Sequence, residues 1–318
     1  MDKGKGKSLL NPFKNITKDP NLWSLDISDH YCGQFSYSTV RATDPHTQDY
    51  SQVEISSKAL YIGIYDGHCS PHTAQFLSEN LFRRIVDTIN SPRDMSVATF
   101  SNAIATIERQ YLEEVWNNQH IPKILESGSC CLMAFLYRGN LIFVNVGDSG
   151  ISIGHGSGGS NMLTNDFNIT RDKTFRKNYK ETHSDNDPKP WVKIAGIRCM
   201  KGISGIHVTR AVGTACLKEE RFRALYRRKI VASTSSSNTL SHPLPRAYIT
   251  LESDTLTYPL VQQDRHIIFA SGGFWDLMTH RDASKVVFEN KREGIARKLI
   301  KEAIKRGVKK RDASTFIP

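Results

Sequence analysis

Three short segments of this sequence hold residues that could do chemistry. Two of them place an aspartate beside glycine directly after an apolar run: Tyr65-Asp66-Gly67-His68 and Val146-Gly147-Asp148-Ser149. The third, Phe269-Ala270-Ser271-Gly272-Gly273, has the same form without the acid. Carboxylates raised on the ends of rigid strands suit a hard divalent cation, because Mg²⁺ and Mn²⁺ prefer oxygen ligands in octahedral array. A glycine next to the acid lets a backbone carbonyl come close enough to act as a further ligand. A histidine in the same turn, His68, could donate a proton to a leaving group. Taken singly, an Asp-Gly after a strand is more often an ordinary turn, and it is the order and context of the three together that point to a metal site.

The elements that must position these residues follow from periodicity. Ala59–Tyr65 and His266–Ala270 read as buried strands, and Gln34–Val40 alternates like a strand. Between Gln34–Val40 and Ala59 the chain reads as a polar loop to Ser57. Cys130–Tyr137 and Leu141–Val146 read as two strands joined by a tight turn at Arg138-Gly139-Asn140. A helix is expected after His68, with Ser70 as N-cap and Pro71 as first helical residue. A second is expected over Val97–Trp116, where Phe100, Ile104, Ile107, Tyr111 and Val115 form one stripe. Ile203–Thr209 is a further candidate strand. Gly154 to Pro190 gives no clear signal, and Ala232–Pro245 reads as a Ser/Pro-rich surface loop. Gly272-Gly273 should break the third strand. Thr279 with Asp282 should then cap a helix to about Glu289, and Gly294–Arg306 reads as an amphipathic helix with Ile295, Leu299 and Ile304 near one face. Strand hairpins followed by paired helices indicate an α+β arrangement.

Composition bounds the function. The 318 residues are 39% hydrophobic and 24% charged, which suits a folded domain and excludes collagen-like or wholly disordered readings. No apolar run approaches the roughly 18 residues of a membrane span, and Met1–Lys18 lacks the apolar core of a secretion signal. None of the six cysteines forms a C-x-x-C pair, so reduced thiols in the cytosol or nucleus are expected. The formal net charge is +11. Arg281–Asp312 holds twelve Lys/Arg against five Asp/Glu, a basic tract that could meet phosphate-rich partners. No nucleic-acid-binding motif accompanies it, and a solvated helix face explains the same charge. Residues 1–32 are expected to be a loose basic segment and residues 33–318 a single domain.

Taken in order, the segments resemble the protein phosphatase 2C family, the metal-dependent Ser/Thr protein phosphatases, in a plant-type form. The resemblance rests on Tyr61-Ile62-Gly63-Ile64-Tyr65-Asp66-Gly67-His68, Gly128-Ser129-Cys130-Cys131, Val144–Ser149, Val208-Thr209-Arg210-Ala211-Val212-Gly213, Asp264–Asp276 and Gly294–Leu299. It implies an α/β/β/α four-layer sandwich of two antiparallel sheets flanked by helices, and two Mn²⁺ or Mg²⁺ ions at one end of the sandwich. Asp66 matches the acid that bridges the metals, and Gly67 the residue whose carbonyl binds one of them. Asp49 looks like the early acid, Asp148 an acid of a further, weaker metal, and Asp312 the last metal-binding acid. His68 matches the general acid. The implied mechanism is attack on phosphorus by a metal-bound water.

Departures from that pattern bear on activity. Gly272 stands where a direct metal ligand belongs, Thr214 where an acid closes the Arg-Ala-x-Gly-Asp motif, and Gln48 where a Glu precedes Asp49. Cys69 and Ser70 follow His68, Gly150 replaces an Arg, and Arg41 is near the phosphate-binding Arg but at a different spacing. Asp276, four residues after Gly272, reads as a polar residue at a helix entrance, separated from the site by Phe274-Trp275. A hard cation is held by the number and charge of its oxygen ligands, so three neutral positions should weaken ion binding. Two functions follow. One is a catalytically impaired pseudophosphatase that binds phosphorylated proteins or kinases. The other is an active Mn/Mg-dependent Ser/Thr phosphatase with a high metal requirement. Gly272→Asp is expected to raise both Mn²⁺ affinity and turnover. A monomer in the cytosol or nucleus is expected, without membrane contact.

Overall fold

In β-strands successive side chains face opposite ways, so a strand apolar on both faces must lie between two layers. The central strands here have that character, and the computed structural model shows what covers each face. It describes residues 22–30, 33–40, 48–121, 123–156, 158–171, 173–182, 191–194, 197–200, 206–233 and 247–315.

The first described element is a hairpin of β1 (Leu22–His30) and β2 (Gly33–Val40). β1 therefore falls inside the segment that composition alone reads as loose; residues 1–21 lie outside the described residues. β3 (Tyr50–Ile55) and β4 (Ala59–His68) follow, then α1 (His72–Thr88) and α2 (Val97–Asn117). Next come β5 (Gly128–Tyr137), β6 (Asn140–Val146), β7 (Gly150–His155), β8 (Ser160–Met162) and α3 (Lys173–Thr182). A small hairpin, β9 (Trp191–Ile194) and β10 (Ile197–Met200), precedes β11 (Val212–Gly213), α4 (Ala215–Lys218) and α5 (Glu220–Ser233). β12 (Asp254–Pro259), β13 (Asp264–Ala270), α6 (Gly272–Trp275), α7 (His280–Phe288) and α8 (Ile295–Thr315) complete the chain.

One antiparallel sheet runs β12-β6-β5-β4-β3, with the short β11 also paired to β5. A second runs β13-β7-β8. In β5, Cys131, Met133 and Phe135 point to a cluster with Leu77, Leu81, Phe100 and Ile104 of the first two helices. The alternate residues Leu132 and Ala134 join Phe143 and Ile151 between the sheets, where Ile267 and Phe269 of β13 meet them. The intervening Ile268 faces Phe274, Met278, Ala283, Leu299 and Ala303 on the last helices. The layers are therefore helix, sheet, sheet, helix. Burying each large apolar side chain at this depth contributes roughly 1.5–3 kcal/mol.

Local signals behave as their chemistry requires. Arg138 and Gly139 both have positive φ, 49° and 73°, which gives the primed two-residue turn that matches strand twist. Ser96 caps α2, accepting from the Thr99 N–H at 3.3 Å. Thr279 caps α7, accepting from the Asp282 N–H at 3.1 Å. Pro71, not Ser70, occupies the α1 cap, and the Ser70 hydroxyl instead pairs with His72 Nδ1 at 2.7 Å. In α8, Leu299 is buried whereas Ile304 is 42% exposed, so its apolar stripe is narrower than expected. Ile203–Thr209 forms no strand among its described residues; Val208 makes only an isolated bridge to Asn168. Most of the expected Ser/Pro loop, 234–245, lies outside the described residues.

Candidate functional site

The ends of β4, β6 and β13 converge where the two sheets meet. β3 and β4 pair with Tyr50 opposite Tyr65, so Asp49 and Gln48 arrive beside Asp66 and Gly67. The Gly67 N–H donates to Asp49 Oδ1 at 3.2 Å. A Cβ on Gly67 would lie 2.0 Å from the Gln48 carbonyl oxygen, so only glycine fits this seam. Across the sheets, the Gly272 N–H donates to Asp66 Oδ2 at 2.9 Å. Burial raises the pKa of Asp66 well above the usual carboxylate range, and the neighbouring Asp49 and Asp148 charges push it further. Burial raises Asp49 as well, against the opposing Gly67 hydrogen bond.

Asp148 follows β6 and is buried, but it does not stand open. Its carboxylate accepts from Arg171 Nη2, from Asn168 Nδ2 at 2.8 Å and from the Cys130 thiol at 3.3 Å. Arg171 also brings its Nε to 3.1 Å from Asp166 and 3.3 Å from Asp276. One guanidinium is thus surrounded by three carboxylates from three separate segments. Burial opposes its charge, but Asp148, Asp166 and Asp276 outweigh that and raise its pKa. Burial lifts Asp166 to about 6, partly offset by Arg171. Asp276 therefore belongs to the site, which corrects its reading as a helix-entrance residue screened by Phe274-Trp275. Nothing in the sequence marked Arg171, which lies 23 positions from Asp148 in a stretch without element signals.

His68 sits at the end of β4, opposite Gly128. Its Nε2 pairs with Thr214 Oγ1 at 2.9 Å, and burial lowers its pKa to about 4. Thr214 is fully buried and held at φ 52°, an unusual conformation for a β-branched residue. Its neighbours fix it there. The Thr214 N–H donates to the Ser127 carbonyl at 2.6 Å, and the Gly213 N–H to Glu108 Oε2 at 2.8 Å. Lys218 pairs with Glu108 and donates to the Ala211 carbonyl at 2.6 Å.

Among the described residues, these side chains do not fit a two-metal centre. No three His, Cys, Asp or Glu side chains among the described residues stand close enough to one another to hold a metal ion; the three carboxylates around Arg171 meet its guanidinium in place of one. A Cβ on Gly272 would lie 2.5 Å from Asp148 Oδ1, so the Asp148 carboxylate fills the space a ligand at 272 would need. Asp148 itself is engaged by three protein donors. Gln48 lends its backbone to the Gly67 seam and brings no carboxylate. Asp312 lies in α8, with its side chain outside the described residues, as Arg41 does entirely. The site is an acid-rich junction closed by an internal arginine, with a histidine tied to a threonine at its side.

Comparison with known proteins gives a consistent result. The family described as Protein phosphatase 2C matches residues 32–312. The chain is 35% identical over 296 residues to Probable protein phosphatase 2C 43 of Oryza sativa subsp. japonica, covering 92% of this chain and 73% of the relative. It is 31% identical to Probable protein phosphatase 2C 68 of Arabidopsis thaliana, covering 92% and 74%. Among solved structures, a C. elegans sex determining protein superposes with TM-score 0.62 at 13% identity, covering 90% of this chain and 61% of that one. Serine/threonine phosphatase Stp1 from Staphylococcus aureus superposes with TM-score 0.57 at 13% identity, covering 90% and 89%. These two likenesses concern the fold.

Proposed function

The chain belongs to the protein phosphatase 2C family, and from that premise we propose that it is a binding protein with little or no phosphatase turnover. The family is metal-dependent, generally with Mn²⁺ or Mg²⁺. Where metal is bound, it lowers the pKa of a water so that a nucleophile exists at neutral pH. One observation carries the reading here. The place of a side chain at 272 is filled by the Asp148 carboxylate, 2.5 Å from a Cβ built there. A carboxylate already satisfied by Arg171, Asn168 and Cys130 has little left to offer a cation.

In this reading the chain recognises phosphorylated proteins or kinases, and the lysine-rich end of the chain supplies the attraction. Twelve Lys/Arg against five Asp/Glu in Arg281–Asp312 favour an anionic partner. No helix among the described residues is long and apolar enough to cross a membrane. Action as a monomer in the cytosol or nucleus belongs to the same proposal.

The second reading, an active Mn/Mg-dependent Ser/Thr phosphatase, draws on the nearness of Asp49 to Asp66. Burial raises the pKa of both acids, and at Asp66 the Asp49 and Asp148 charges add to it, a repulsion that a cation would relieve. Steady-state hydrolysis of a phosphothreonine peptide at millimolar Mn²⁺ separates the two. The binding reading expects no turnover above buffer, together with saturable retention of a phosphoprotein. Turnover within about tenfold of an ordinary family member, a gap of only ~1.4 kcal/mol in barrier, establishes the enzyme instead.

A further inference from the structure

We infer that Arg171 is the resident cation of this domain, standing where the acid cluster of Asp148, Asp166 and Asp276 would otherwise require a bound ion. The inference concerns folding and ion binding, and it holds whether or not the chain turns over phosphate.

Three carboxylates drawn together repel one another, and a fold that assembles them needs a positive charge among them. Arg171 supplies it. The guanidinium is protonated at every working pH and presents a rigid fork of donors. Its Nη2 donates to Asp148, while Nε lies 3.1 Å from Asp166 Oδ2 and 3.3 Å from Asp276 Oδ1. The side chain is only 20% exposed, so its charge is held by these partners and not by bulk water.

The backbone delivers it to this point. Asn168 Oδ1 accepts from the Thr170 N–H at 2.8 Å and from the Thr170 hydroxyl at 2.6 Å. Ile169, between them, is fully buried, and its N–H donates to the His207 carbonyl at 2.9 Å. Arg176 Nη1 donates to the Ile169 carbonyl at 2.6 Å. The segment just before Arg171 is therefore anchored at both main-chain groups of Ile169.

The geometry also argues against sharing the site. Magnesium demands oxygens at roughly 2.0–2.1 Å in an octahedral array. A guanidinium holds its acceptors farther out and in a plane, and the missing side chain at Gly272 removes another donor. Wild-type protein should consequently fold with its acid cluster satisfied in the absence of divalent metal. Removing the guanidinium should expose a set of carboxylates that a hard cation can neutralise.

The test measures ions and stability, not catalysis. MnCl₂ is titrated by calorimetry into the full chain and into R171Q and R171K, and each is melted in EDTA and in millimolar MnCl₂. Wild type and R171K are expected to show the same Mn²⁺ heats and the same melting difference between the two buffers. R171Q is expected to melt lower in EDTA, to be raised by Mn²⁺ several degrees more than wild type and to gain a saturable Mn²⁺ site that wild type lacks, because an ion that binds only the folded state stabilises it. Folding of R171Q only when Mn²⁺ is present supports the inference in the same way. Should R171Q not fold in either buffer, R171Q/D166N, with one repelling charge fewer, undergoes the same comparison. A folded R171Q, or R171Q/D166N, that binds no more Mn²⁺ than wild type and gains no more stability from it overturns the inference. Catalytic turnover, scored separately, would refute the binding function without touching this result.

Discussion

The Gly272 N–H and the Asp66 carboxylate meet at 2.9 Å, and this single hydrogen bond joins the end of the last sheet strand to the central acid of the other sheet. A main-chain group here contacts the residue that family resemblance makes a metal bridge. The opposite side of Gly272 is closed by Asp148, which would stand 2.5 Å from any Cβ placed there.

That closure revises the expectation for restoring the acid. Gly272→Asp alone forces a side chain against a carboxylate pinned by Arg171 and Asn168, and adds a like charge. It is expected to lower stability by about 1–3 kcal/mol and to leave Mn²⁺ binding unchanged. Joined with Arg171→Ser, which frees Asp148 to move, it should bind Mn²⁺ saturably in calorimetry. Tight Mn²⁺ binding by the single variant would show that Asp148 yields more easily than its hydrogen bonds imply.

Lys218 and Glu108 form a deeply buried pair, 8% and 7% exposed at their side chains. Lys218→Met leaves Glu108 charged and unpaired inside the protein, at a cost of about 3–5 kcal/mol by denaturant titration. Adding Glu108→Leu should recover part of that loss. Recovery stays incomplete because Glu108 also accepts from the Gly213 N–H. A Lys218→Met midpoint equal to wild type would contradict this.

Gly128 tests how tightly His68 and Thr214 are packed. A Cβ there would lie 2.0 Å from Thr214 Oγ1 and 2.2 Å from His68 Nε2, whereas nothing lies within 4 Å of one on Gly273. Gly128→Ala should cost about 1–3 kcal/mol through overpacking, and Gly273→Ala should be neutral or stabilising by about 0.4–1 kcal/mol. Equal thermal midpoints for the two variants would refute the packing account.

His266 should contribute an acid-sensitive slope to stability. Its ring lies across Gly154, its Nε2 has no hydrogen-bond partner among the described residues, and burial, with His155 nearby, lowers its pKa. The folded state therefore prefers the neutral ring, and its contribution is complete above the unfolded pKa of about 6.5. As the pH falls below that value the unfolded chain takes up the proton first, and stability is lost towards the folded pKa. Urea midpoints at pH 7.5 and 5.5 should fall farther for wild type than for His266→Gln. Parallel losses would assign the slope to other groups.

Residues buried on a regular period were legible from sequence; those stabilised by unlike neighbours were not. β5, β6, α1 and α2 each show an apolar pattern that only a sheet or helix can bury, and their boundaries came within a few residues. β3 was hidden because Ser51, Gln52 and Glu54 make it polar, as suits a strand paired, among the described residues, on one side only. β7 begins with Gly150 and carries Gly154, so its burial depends on partners across the sheet. Two glycines read as a break open α6 because its helical turn starts at Ser271, whose carbonyl accepts from the Phe274 N–H. In the site, Asp66, Asp148 and His68 announced themselves at strand ends. Arg171 and Asp166 did not, because an ion pair between distant segments leaves no periodic trace.

The seam at Gly67 separates ancestry from chemistry. With the Gln48 carbonyl 2.0 Å from any added Cβ, the two strands can close only over a hydrogen atom. Such a glycine is indispensable to the architecture even in a protein that never cleaves a phosphoester. An intact Asp-Gly-His signature is then a record of how the sheet must be assembled, and it cannot by itself serve as a licence to call its bearer an enzyme.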